Sequence, residues 1–193
     1  SGKTTLFNAL TRNDTPTNAS AGRIEVHNAV VDVPDPRVDK LSGMFNPKKT
    51  IYAKVAYADI AGLDGSKSGI SGTLLNTLTQ MDGFLHVVRC FVDENIPHPA
   101  GSVDPARDLE SMLSELLLND LIAVERKLEK LTEERKKGGT DKTLNARQTE
   151  LFEKLLATLN ENKPLRCLEF NQEEQRELAS YGLLTRKPVL TVF

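Results

Sequence analysis

Apolar positions along this chain switch repeatedly between helical spacing and strand-like runs, which reads as α/β. Leu6, Phe7 and Leu10 stripe a first helix, and the polar run from Thr11 to Pro16 ends it. Residues 15–22 are small and polar and predict a loop, in which Asn18-Ala19-Ser20 fits a glycosylation pattern that nothing else supports. Ile24, Val26, Ala29, Val30, Val31 and Val33 predict a strand, stopped by Pro34-Asp35-Pro36. Val38, Leu41 and Met44 predict a short helix, broken at Asn46-Pro47-Lys48-Lys49. Residues 50–58 predict a second strand that delivers Asp59-Ile60-Ala61-Gly62 at its end. Gly62, Gly65, Gly69 and Gly72 punctuate the next loop, and Ser71 is the candidate cap of a helix burying Leu74, Leu75, Leu78 and Met81. Residues 84–92 are almost continuously apolar and predict a strand buried on both faces of a parallel sheet. His86 and Arg89 interrupt that run, and His86 reads as a core or strand-end histidine before it reads as a catalytic one.

Asp104-Pro105 then opens a long helix with a capping residue and a proline at its first position. Leu109, Leu113, Leu117, Leu121, Val124, Leu128 and Leu131 recur at the spacing of a coiled-coil seam as far as about Lys136. Gly138-Gly139 turns the chain, and Leu144, Leu151, Leu155 and Leu159 carry a second helix back, with Gln148 breaking the seam. The expectation is an antiparallel helical hairpin with Glu125, Arg126, Glu129 and Lys130 on its outside. Its tip carries Arg135, Lys136, Lys137 and Lys142, which read either as a solvated turn or as a contact for RNA phosphates. Beyond Lys163-Pro164, Leu165, Leu168 and Phe170 predict a short strand, Asn171 with Glu174 a capping box for a helix to about Tyr181, and residues 187–193 a last buried strand. The domain reading is residues 1–103 with 164–193 as one discontinuous unit, and 104–163 as a helical insertion.

The remaining chemistry sits at Ser1-Gly2-Lys3-Thr4-Thr5. Gly-Lys-Thr running into an apolar helix is the second half of a phosphate-binding loop, in which backbone N–H groups and a helix N-terminus surround the β-phosphate. Lys3 would reach the β- and γ-phosphates and the Thr4 hydroxyl would ligate Mg²⁺. The complete motif has a Gly about five residues before Gly2, on the turn leaving a buried strand. That strand and half-loop are therefore expected ahead of Ser1, and a chain lacking them should fold poorly. Asp59-x-x-Gly62, two strands downstream, supplies the expected partner: a carboxylate for the metal and a Gly whose backbone approaches the γ-phosphate.

Composition narrows this further. At 193 residues the chain holds one domain, or a domain with an insertion. Its net charge of −2 shows no global attraction to nucleic acid. The apolar fraction is that of a soluble protein and no apolar run is long enough to span a bilayer, so a soluble cytoplasmic protein without a membrane partner is expected; the absence of a signal peptide before Ser1 adds little, because the start looks truncated. Cys90 and Cys167 are read as reduced structural thiols. The absence of Trp and the small number of aromatics argue against a base-stacking single-strand binder.

Gly2-Lys3-Thr4-Thr5-Leu6-Phe7-Asn8-Ala9-Leu10-Thr11, Val33-Pro34-Asp35-Pro36-Arg37, Asp59-Ile60-Ala61-Gly62-Leu63, His86-Val87-Val88-Arg89-Cys90-Phe91 and the 183–189 segment with Lys187-Pro188 together resemble the YchF (Obg-like ATPase) family of P-loop proteins. The likeness spans nearly the whole chain in order. It implies a Ras-like doubly wound P-loop NTPase domain with an inserted antiparallel coiled-coil hairpin and a further C-terminal domain in the intact protein. It also implies slow, Mg²⁺-dependent hydrolysis of ATP in preference to GTP, association with ribosomes, and a monomer. Ser1, Gly2, Lys3, Thr4, Thr5 and Gly62 would bind nucleotide, and Thr4 and Asp59 the metal. Leu63 stands where Ras-like enzymes place the water-orienting Gln, so no catalytic residue is assigned. Arg23 stands where the family carries a metal-closing Thr, with Ser20 the nearest hydroxyl, and the loop after Leu63 is a few residues short. Hydrolysis would reset the loops near residues 15–23 and 62–72 and alter how the hairpin is presented. The alternatives are an Obg-type GTPase, distinguished by a base-reading loop beyond Phe193, and a catalytically degenerate scaffold that binds through its hairpin.

Overall fold

The computed structural model describes residues 2–15, 26–60, 70, 72–94, 96–138 and 141–193. Ser1, the loop residues Ser20 and Arg23, the segment 61–69 with Gly62, Leu63 and Gly65, and also Ser71 and Gly139, lie outside the described residues. The chain forms two compact units, Ser1–Asp64 and Gly65–Phe193.

In the first unit, α1 (Lys3–Thr11) is followed by β1 (Val26–Asp32), α2 (Pro36–Phe45) and β2 (Lys54–Ile60). β1 and β2 pair antiparallel, from Val26 opposite Ile60 to Asp32 opposite Lys54. Helix α1 packs on this ribbon through Phe7, which is buried. Helix α2 is capped by a residue that was read only as a strand stop: the Asp35 side chain accepts from Arg37 N and Pro36 occupies the first turn. Strand β2 begins at Lys54, later than residue 50, because the residues ahead of it are tied to α2 instead. Ser42 and Thr50 share a 2.6 Å hydroxyl contact, and the Tyr52 hydroxyl donates to the Asp39 carboxylate.

In the second unit, α3 (Gly72–Gln80), β3 (Phe84–Val87), α4 (Pro105–Lys137), α5 (Lys142–Asn160), a single 3-10 turn (Leu165–Cys167), α6 (Gln172–Leu178) and β4 (Val189–Val192) follow in order. β3 and β4 pair in parallel, Phe84 opposite Val189 through Val87 opposite Val192. Three expectations are corrected here. The strand expected to reach Val92 ends at Val87, because the Arg89 guanidinium donates to Phe91 O at 3.0 Å and Asp93 O at 3.3 Å and curls the chain out of the sheet, leaving Val92 exposed. The strand expected over Leu165–Phe170 is a 3-10 turn, with Leu165 N and Arg166 N committed to Thr185 rather than to a neighbouring strand. Cys90, expected inside a buried strand, is exposed; it and Cys167 are both free thiols.

Helices α4 and α5 pack side by side with residue pairs running in opposite directions: Lys127 Nζ meets Gln148 Oε1 at 3.2 Å and Asn145 Nδ2 donates to Leu131 O at 3.0 Å. The core of the unit gathers Leu117, Val124, Leu151, Phe152, Leu155, Leu159, Leu165, Leu178 and Leu183. Phe152, absent from the expected seam, is fully buried and stacks edge-on against Tyr181, whereas Leu144 is exposed. The seam is thus wider than a strict two-helix coil, because α4 and α5 also bury side chains from residues 165–183.

Candidate functional site

The residues singled out at the start of the chain and at Asp59 meet inside the first unit. Gly2 caps α1 in the left-handed conformation (φ 85°), which a residue with a Cβ adopts only under strain, and Leu6 N closes the first turn on Gly2 O at 2.9 Å. The first turn therefore begins abruptly and carries Lys3, Thr4 and Thr5. Asp59, the penultimate residue of β2, is buried at 6 % exposure. The Thr4 hydroxyl donates to Asp59 Oδ2 at 2.7 Å, and Lys3 Nζ donates to Ile60 O at 3.2 Å. Two side chains more than fifty residues apart in sequence are thus brought together by α1 lying against the end of β2. Thr5 faces outward.

The other end of α1 is fixed as well. Thr11 Oγ1 donates to Phe7 O at 2.7 Å, and the Asn8 side chain clasps Thr15, donating to its carbonyl at 2.8 Å and accepting from its N–H at 3.1 Å. Asn8 was not singled out in the sequence. Its effect is to hold the exit of the helix against Thr15.

Among the described residues no cluster of three His, Cys, Asp or Glu side chains exists to hold a metal. The oxygen pair Thr4–Asp59 is the donor set that the sequence pointed to. Two hard oxygens on adjacent elements suit a small divalent cation that keeps waters and takes phosphate oxygens, and do not suit one caged wholly by protein.

In the second unit sequence reading passed over a buried polar network. Asp120, in the middle of α4 and 2 % exposed, accepts from Leu184 N at 2.7 Å, Thr185 N at 2.7 Å and Thr185 Oγ1 at 2.6 Å. Burial pushes its carboxyl above the ordinary carboxylate range, while the three donors and the Lys187 charge hold it back. Lys187 closes the last turn of α3 by donating to Leu78 O at 2.9 Å, Thr79 O at 2.7 Å and Met81 O. Burial lowers its ammonium pKa, opposed by Asp82 and Asp120. The signal was available: Asp120 lies three residues after Leu117 and four before Val124, an acid at a position of the apolar face.

At the hairpin, Arg135, Lys136 and Lys137 occupy the last turn of α4 and Lys142 the first of α5, all exposed. The three in α4 face the negative end of the helix dipole, and Lys137 lies 3.9 Å from Glu133, which gives them a structural role whatever else they meet.

Comparison with known proteins now bears on this geometry. No family model matches the chain. It is 36 % identical over 195 aligned positions to the "Ribosome-binding ATPase YchF" of Bacillus subtilis, covering 99 % of this chain and 52 % of that protein. To "Obg-like ATPase 1" of Oryza sativa subsp. japonica it is 36 % identical, covering 98 % of this chain and 48 % of that one. The solved structure of the Schizosaccharomyces pombe YchF GTPase superposes with a TM-score of 0.75 at 34 % identity, covering 98 % of this chain and 52 % of that chain, and its fold is an α/β P-loop NTPase. The chain thus spans about half the length of the relatives it matches. Together these matches support assignment of the chain to the YchF/Obg-like ATPase family.

Proposed function

We propose that this chain carries the nucleotide-binding part of a Mg²⁺-dependent P-loop ATPase that acts as a slow, ribosome-associated switch. The observation that carries the proposal is the Thr4 Oγ1–Asp59 Oδ2 contact of 2.7 Å beside Lys3. Gly2, Lys3, Thr4 and Thr5 bind phosphate, with Ser1 and Gly62 completing the set. Lys3 exchanges the Ile60 carbonyl for phosphate oxygens, and the N–H groups of the first turn of α1 point toward the same charge. Thr4 and Asp59 hold the metal, which when bound supplies charge neutralisation at the β- and γ-phosphates. Leu63 offers no hydrogen bond to orient water, so turnover is slow. Residues 104–163 form a coiled-coil insertion in a domain made of 1–103 and 164–193. The antiparallel packing of α4 on α5 supports the hairpin itself.

The naming of the relatives favours a second reading. The relatives are named ATPases and the solved structure a GTPase, so guanine is the alternative base. A ribosomal partner, which the relatives' name supports, implies a cytoplasmic site of action. The decisive experiment is competition of ATP against GTP for the full-length protein with Mg²⁺ present. ATP displaced only weakly by GTP upholds the proposal, GTP preference moves the chain to the alternative, and binding of neither leaves a scaffold that works through its helices.

A further inference from the structure

Helix α2 and the turn after it form a surface that the nucleotide reading does not use. Over residues 36–54 the chain carries Arg37, Lys40, Lys48, Lys49 and Lys54 against Asp39 alone. Arg37 is paired with Asp35 at 2.7 Å and Lys54 with Asp32 at 2.7 Å, while among the described residues Lys40, Lys48 and Lys49 have no partner. Three unpaired cations against one carboxylate is a local excess of positive charge in a chain whose total is −2. The same short stretch exposes Met44 (64 %), Phe45 (74 %) and Ile51 (68 %), and α2 has no fully buried residue. In a chain with few aromatics, Phe45 is among the most exposed of them.

This surface is held in place. Asn46 ends α2 in the left-handed conformation with its N–H on Ser42 O, Pro47 follows, and the Ser42–Thr50 and Tyr52–Asp39 contacts close the turn on its far side. Lys48 and Lys49 therefore project from a stapled knuckle beside Phe45, and little ordering is needed for them to engage a ligand. Lysines position phosphates without reading sequence, and an exposed aromatic offers a stacking face to a base splayed from a loop. Membrane binding scales with the apolar area a helix can bury, and the ten residues of α2 offer little of it.

We propose that the α2 knuckle is a docking surface for looped RNA, with Lys40, Lys48 and Lys49 on phosphates and Phe45 on an unstacked base. The inference rests on the ribosome-directed half of the reading above and is independent of the nucleotide site. The test measures binding of the full-length protein to a fluorescent RNA stem-loop, to the same stem as a blunt duplex, and to phosphatidylserine vesicles, each over a range of salt. ATP binding is followed in the same samples. The expected result is preference for the stem-loop. Lys48→Gln with Lys49→Gln should weaken stem-loop binding about tenfold and lower the log–log salt slope by about 1.4. Phe45→Ala, which removes no core contact, should erase the preference for loop over duplex. ATP binding should stay unchanged in both variants. Equal stem-loop binding by wild type and variants would overturn the proposal and leave the ribosomal reading intact with its contact elsewhere. Wild type that binds vesicles and no RNA, or neither, would also overturn it.

Discussion

Lys3 is the residue on which the proposed chemistry depends most directly. Removing a preorganised cation from a transferring phosphoryl group typically costs about 10²–10³ in kcat. Lys3→Ala should therefore reduce ATP hydrolysis by that factor while leaving the far-ultraviolet dichroism unchanged, since among the described residues its side chain makes one hydrogen bond, to Ile60 O. Hydrolysis that persists in this variant would place the activity elsewhere. Asp120 makes a different residue-scale prediction. Asn in its place turns one acceptor oxygen into an NH₂ that faces N–H or O–H donors of Leu184 or Thr185, costing about 1–3 kcal/mol by urea unfolding at neutral pH. The pH dependence has a definite sign. Asp120 in the folded protein keeps its proton to a pH above the ordinary 3.8, so the stability it contributes is complete below that value and is lost as pH rises through the raised one. The margin of wild type over Asp120→Asn should accordingly shrink as pH rises; a margin that grows would contradict the burial of this carboxylate. Gly182 is set by close approach: a Cβ there would stand 2.6 Å from Thr79 Cβ on α3, and Gly182→Ala should cost about 1–3 kcal/mol in the same assay.

At the scale of elements, the caps at Asp104 and Asn171 were read from the sequence, those at Asp35 and Asp141 were passed over, and the strand limits were not legible. Asp35, Asp104, Asp141 and Asn171 each cap a helix with the side chain, and Asn171 with Glu174 completes the reciprocal capping box expected from the sequence. These motifs are local, so spacing alone reveals them. Asp141 holds the start of α5 through Thr143 N at 2.9 Å and Leu144 N at 3.3 Å. Asp141→Ala should lower the urea midpoint by an amount equivalent to about 0.5–2 kcal/mol. A null effect would mean that packing of α5 on α4 holds the turn unaided. The short β3 and the 3-10 turn at Leu165–Cys167 went the other way. Residues 88–92 and 165–170 have strand-like composition, but Arg89 turns one out of its sheet and Thr185 takes the backbone donors of the other. Both outcomes depend on partners that periodicity does not see.

For the whole molecule, the prediction that follows from the proposed phosphate site is Mg²⁺ dependence. Removing the metal with a chelator should abolish tight ATP binding in wild type, and Asp59→Asn should do so even with Mg²⁺ present; ATP affinity indifferent to both would leave the Thr4–Asp59 pair a structural contact. The residues of the candidate site were legible because they stand in contiguous motifs: Gly2-Lys3-Thr4 at a helix start and Asp59 near a strand end, the residue types that a phosphate and a metal would require of nearby backbone. The helical pattern was legible because burial of one face imposes its period on the residues. Tertiary structure alone decided that the Thr4 hydroxyl touches Asp59, that Asp120 and Lys187 bind remote carbonyls and amides, and that Phe152 fills the core beside α4. Those contacts join segments tens of residues apart, and the free energy that selects them comes from satisfying buried polar groups and filling volume once the elements have packed.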